Sequence, residues 1–177
     1  TLRDYYHTWY RPDLQGIVIV GDINVDEVEA KIKAMWSDIP KPINPAERVY
    51  FPVPDNDKPI VSVITDPEAV RTQVTLYIKH DVIPAETKQT QEGLIISFIK
   101  GLASNMLSDR LEEISQKGDA PFAASYAYDG EFFVSKTKDA WTTIALSKEG
   151  KVDETLASLI RENERIKRFG YTDAEVE

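Results

Sequence analysis

The chain has 177 residues, 42% hydrophobic and 29% charged, with a formal net charge of −9 and no cysteine. That length bounds it to one domain, or one domain with part of another, of ordinary globular composition. The negative balance argues against a nucleic-acid or anionic-membrane partner, no apolar run approaches the ~20 residues that span a bilayer, and without thiols neither disulfides nor cysteine-ligated zinc can form.

Leu2, Tyr5, Tyr6 and Trp9 recur at helical spacing and predict a helix with a buried face. Arg11-Pro12-Asp13 stops it, because proline has no amide hydrogen and restricts the residue before it. Ile17–Val20, a β-branched run between Gly16 and Gly21, predicts a strand buried on both faces. Asn24 with Glu27 reads as a capping box, opening a helix whose apolar stripe is Val25, Val28, Ile32, Met35 and Trp36. Six of the ten prolines lie between Pro40 and Pro59, which predicts an extended linker over 38–59.

Val61–Thr65 is a strand candidate, Asp66-Pro67-Glu68 a turn, and Gln73–Lys79 alternates as a strand with one wet face. A long helix is expected from about Glu86 to Gln116, with a broad apolar arc through Ile95, Ile99, Leu102, Met106 and Leu111 and a kink near Ser108-Asp109. The arc should pack across a whole sheet. Ala124–Tyr128, Phe132–Lys138 and Ala140–Ser147 are strand candidates, with Asp129-Gly130 as a hairpin turn. In a last full helix, Val152–Arg168, apolar Val152, Leu156, Leu159, Ile160 and Ile166 oppose Glu162, Glu164, Arg165 and Lys167. Thr172 with Glu175 is a capping box that announces another helix, so the chain reads as an excised segment. The plan is α+β: two layers, an antiparallel sheet with helices packed on one face.

Trp9-Tyr10-Arg11-Pro12-Asp13, then Ile17–Val20, Gly21-Asp22 and Trp36-Ser37-Asp38-Ile39-Pro40 stand in an order that resembles the closing strand and helix of a repeat in the insulinase (pitrilysin) family of zinc metallopeptidases, which the mitochondrial processing peptidases share. The likeness continues through Ser108, Arg110 and Leu111 of the long helix and through Arg168–Glu175. It implies that 1–37 closes a preceding, catalytic repeat, that 38–59 links, and that 60–177 is a second, non-catalytic repeat truncated at its C-terminal side. The orphan unit at 1–37 is expected to dock onto 60–177 as one compact unit, in the same chain or between chains.

Chemistry in that family rests on a His-x-x-Glu-His helix. This chain has only His7 and His80, and neither opens that motif. Zinc needs about three protein ligands, so the resemblance implies zinc in an upstream repeat and none here, with no catalytic residues in this segment. Asp22, Asn24 and Asp26 imitate a calcium loop, but Glu27 stands where the turn needs glycine, so capping is the better reading. Ile17–Gly21 has too few glycines to cradle a dinucleotide. His80-Asp81 has no nucleophile beside it, and Tyr126 and Tyr128 read as sheet packing.

Arg110, where the family keeps an arginine, is a candidate substrate or inter-repeat contact, with an ion pair to Glu113 or a similar partner as the plainer reading. Phe122 is the second candidate, standing where related repeats carry a substrate-gripping Arg-Tyr pair that is missing here. The reading is a chamber-wall domain, inactive alone. Its partners are other repeats of the same chain and the peptide or protein substrate of the parent enzyme, and a bacterial periplasm is its expected location. The alternatives are a scaffold subunit of an inactive relative and a peptide-binding module that uses a sheet edge. An open edge also admits a homodimer.

Overall fold

A computed structural model describes residues 1–176. The chain divides into two compact units, Thr1–Val49 and Tyr50–Glu177, and the division falls inside the proline-rich stretch.

In the first unit, Thr1 and Asp4 form a capping box on helix α1 (Leu2–Trp9), and Asn24 accepts the amides of Asp26 and Glu27 at the start of α2 (Val25–Trp36). Pro12–Leu14 makes one 3₁₀ turn, fixed by Arg11, which pairs with Asp13 and donates to the Ala46 carbonyl at 2.7 Å. Two expectations are corrected here. Ile17–Val20 does not form a strand, and Val18 is 87% exposed. The face of α1 that carries Leu2, Tyr5 and Tyr6 is exposed as well. With two helices and no sheet, this unit has no apolar layer of its own to seat either stripe.

The second unit holds a three-stranded antiparallel sheet in the order β1-β3-β2, built from β1 (Thr72–Asp81), β2 (Phe122–Glu131) and β3 (Lys138–Ser147). Helices α4 (Gln91–Ser115) and α5 (Val152–Phe169) pack on it, and short helices α3 (Ala85–Lys88) and α6 (Asp173–Val176) flank them. The α+β fold is as the pattern of elements predicts.

Strand register puts Val74, Leu76, Ile78 and His80 of β1 on the face shared by Trp141, Thr143 and Ala145 of β3 and by Ala127 and Asp129 of β2. The core lies there: Leu107, Leu111, Phe122, Ala127, Ala145 and Leu159, with Val74, Ile114, Trp141 and Ile166 against it.

Several boundaries differ from expectation, each for a local reason. The long helix breaks at Thr90, whose hydroxyl caps the amide of Gly93. A Cβ on Gly93 would stand 2.2 Å from the Thr87 carbonyl, so this close turn requires glycine. No break occurs at Ser108, because its hydroxyl bonds Ser104 O and receives the Ala127 amide. The hairpin turn is not Asp129-Gly130, which lies within β2, but the stretch after Glu131. There Ser135 Oγ accepts the amides of Thr137 and Lys138, and Phe133 takes a positive φ of 54°. Residues 132–137 therefore form a turn rather than a strand. Val61–Thr65 forms no strand and is exposed.

Phe122 and Leu107 are fully buried. Leu107→Ala should therefore cost about 2–5 kcal/mol, the range for emptying a closed core site, read as a lowered denaturant midpoint in the unfolding of the sheet unit.

Candidate functional site

Arg110 is 5% exposed on the inner side of α4. Its Nε and Nη2 meet both carboxylate oxygens of Glu175 at 2.5 and 2.8 Å, a bidentate fork. Its Nη1 lies 3.7 Å from Glu162 of α5, and the guanidinium sits 5.1 Å from the centre of the Tyr171 ring. Hydrogen bonds and charge from Arg110 hold the Glu175 carboxyl at about 2, and burial drives the Tyr171 phenol up to about 12. The same Glu175 carboxylate accepts the Thr172 amide and hydroxyl, each at 2.8 Å, the glutamate half of a capping box at the start of α6.

Of the two residues expected to touch substrate or another repeat, Arg110 is thus buried and committed to Glu175 and Glu162 rather than Glu113. Phe122 is 0% exposed in the core. Neither presents a surface to a ligand in this structure. Glu162 was expected on the wet side of α5, yet it is 6% exposed, drawn inward toward Arg110 and, at 3.5 Å, Arg165.

A second cluster closes one end of the sheet. Asp129, its side chain 9% exposed, takes His80 Nε2 at 2.7 Å and Lys100 Nζ at 2.8 Å, so one carboxylate ties β1, β2 and α4 together. The other ring nitrogen of His80 faces the Asp81 carbonyl at 2.9 Å. Beyond it, Lys138 bridges Asp81 at 2.6 Å and Asp55 at 2.8 Å. Lys79 donates to the Pro54 carbonyl and the Val53 amide to Thr137, so residues 53–55 lie against the sheet.

The sheet face away from the core is aromatic. Tyr126 and Tyr128 stack with centroids 6.1 Å apart, and Tyr77, Phe132 and Phe133 form a second group with centroids 4.8–5.6 Å apart. On that face Thr142 of β3 lies between Tyr77 and Tyr128, and Ile144 stands beside Tyr126. Burial and the neighbouring phenols raise the Tyr77 pKa. Tyr126 and Tyr128, read as packing residues, are half exposed on this face. Alternation in β1 and β2 could have located it from sequence, but the misplaced hairpin turn hid Phe132 and Phe133.

The donors present do not fit a zinc site. His7 lies on α1 edge-on to Tyr6, both nitrogens of His80 are engaged as above, and among the described residues no three His, Cys, Asp or Glu side chains converge as metal ligands.

Two substitutions test these clusters. Asp129→Ala leaves Lys100 and His80 without their shared partner and should cost about 1–3 kcal/mol, read as a lower midpoint by Trp141 fluorescence. Glu175 faces Arg110 on α4, Tyr171 beside it and, through Arg110, Glu162 on α5. Its pKa is depressed from 4.5 to about 2 on folding, so its contribution is complete above pH 4.5 and is lost as pH falls through 2. Glu175→Gln should therefore flatten the stability profile across that window, measured by denaturant unfolding at several pH values.

The family described as "Peptidase M16 inactive domain" matches residues 1–177. Among curated proteins, the chain is 28% identical over 131 residues to "Zinc protease PQQL-like" of Arabidopsis thaliana, covering 73% of this chain and 13% of that protein. It is 29% identical over 122 residues to "Probable zinc protease PqqL" of Escherichia coli, covering 67% and 12%. The solved periplasmic protease PqqL from Escherichia coli superposes over 98% of this chain and 19% of its own, with a TM-score of 0.77 and 20% identity. The first half of that protease, solved separately, gives the same TM-score with 36% of its length covered. The chain thus spans roughly an eighth of the length of its curated relatives. It belongs to the insulinase-type M16 zinc peptidase family, as an inactive domain.

Proposed function

We propose that this chain is the non-catalytic, wall-forming domain of a longer insulinase-type zinc endopeptidase and hydrolyses nothing by itself. The observation that carries the reading is the match to the inactive domain across residues 1–177. Residues 1–37 close a preceding catalytic repeat, 38–59 link, and 60–177 make the second repeat. A His-x-x-Glu-His motif in that preceding repeat would hold the zinc through its two histidines, and its glutamate would polarise the attacking water.

Partners are other repeats of the same chain and the peptide held by the parent enzyme. Apolar surface on α4 and the aromatic sheet face supply the area for such contacts. A periplasmic location agrees with the likeness to the periplasmic PqqL protease.

A second reading, a module that binds peptides by strand addition, draws on one feature: β1 and β2 are both edges, ten residues long. The same edges admit a homodimer.

The purified 177-residue chain, supplied with zinc, should cleave a quenched fluorescent peptide library no faster than buffer. Joined to its upstream repeat it should cleave, and loss of the glutamate in His-x-x-Glu-His should abolish the gain. Chelator-sensitive turnover by the 177-residue chain alone would overturn the reading, and an upstream repeat without the motif would move it to the scaffold alternative. Sedimentation and peptide titration on the same sample separate the edge-binding reading, which requires a dimer or saturable peptide binding.

A further inference from the structure

Helix α5 ends at Gly170, whose φ of 70° and ψ of −149° lie where only glycine is at ease. The chain then turns back along α4 and is fastened at two points. Tyr171 donates its hydroxyl to the Ala103 carbonyl at 2.5 Å, and Glu175 takes the Arg110 fork. Ala103 and Arg110 are seven residues apart, two helical turns, so both anchors lie on one face of α4. The Tyr171 ring covers the guanidinium between them. Phe169 before this stretch and Val176 at its end are exposed, so the Tyr171 ring is its one partly buried large apolar side chain.

We propose that residues 170–176 form a strap, hinged at Gly170 and latched by Arg110, that sets the path of the chain after α5 and opens as one unit. The reason for one unit is that Glu175 does two jobs. Its carboxylate caps α6 through Thr172 and also receives Arg110, so releasing the arginine loosens the cap, and losing the cap misplaces the carboxylate. Arg110 here is a positioning residue, and the latch is independent of any peptidase reading. It requires the planar fork: a lysine keeps the charge but offers no second parallel donor.

Hydrogen exchange of the whole 177-residue chain reads this directly. In Glu175→Gln, amides of 170–176 should exchange about ten-fold faster or more, the scale for losing a charge-assisted pair, while β3 and the buried half of α4 keep their protection. Arg110→Lys should fall between wild type and Glu175→Gln, and adding Glu175→Gln to it should change little further. Exchange in 170–176 within about two-fold of wild type in Glu175→Gln would overturn the latch, on the same exchange scale. So would acceleration spread evenly through β3 and α4, which makes Arg110 a general core residue. Glu175 sits at the margin of the fold, so its variant remains informative even if Arg110→Lys fails to fold.

Discussion

The structure depends on a mismatch of widths. Neighbouring strands lie about 4.8 Å apart, so three of them span roughly 10 Å between outer axes, about the diameter of a single helix. Two helices compete for that floor. The C-terminal half of α4 wins a place through Leu107 and Leu111, whereas Leu94, Ile95, Phe98, Ile99 and Leu102 on its N-terminal half are left in solvent, Phe98 at 64% exposure. Ile60, Val61, Val63 and Ile64 are likewise uncovered. Contiguous exposed apolar side chains of this kind mark a contact surface.

Where the sheet cannot offer enough apolar floor, polar groups do the joining. α5 meets β3 through a seam rather than a stripe. Asn163 receives the Trp141 indole at 2.8 Å and donates to Thr143 at 2.9 Å, and Thr155 is fully buried with its hydroxyl near the Pro121 carbonyl and Ser147. The ionic contacts of Arg110 and Asp129 belong to the same pattern: each buried or half-buried charge has partners on two different elements. Buried ions of this kind are poor sources of net stability but costly to leave unpaired, so they fix the way the elements fit together.

Much of the architecture was legible in the sequence because it is local. β1 announced itself by alternation from Gln73 to Lys79, β3 by Ala140–Ser147, α2 by the Asn24 cap and the end of α5 by Gly170. What failed was non-local or depended on a side chain choosing its partner. Asp129-Gly130 has the composition of a tight turn, but the Asp129 carboxylate is held by His80 and Lys100, which keeps the pair inside β2. Thr155, Ser158 and Glu162 face inward on α5 where apolar periodicity favoured Leu156 and Ile160, because the seam needs hydrogen bonds there. Arg110 was legible as a residue to watch. Its partner was not, since Glu175 lies 65 positions away and no spacing rule reaches that far.

The account therefore joins a family assignment to a physical observation: an inactive M16 domain that leaves the apolar side chains of the N-terminal half of α4 exposed. The most direct test is covalent footprinting of Leu94–Leu102 on α4, in the 177-residue chain alone and in the same residues within a longer chain that includes its neighbouring repeats. The account predicts strong labelling in the first and marked protection in the second. Equal labelling in both would contradict it.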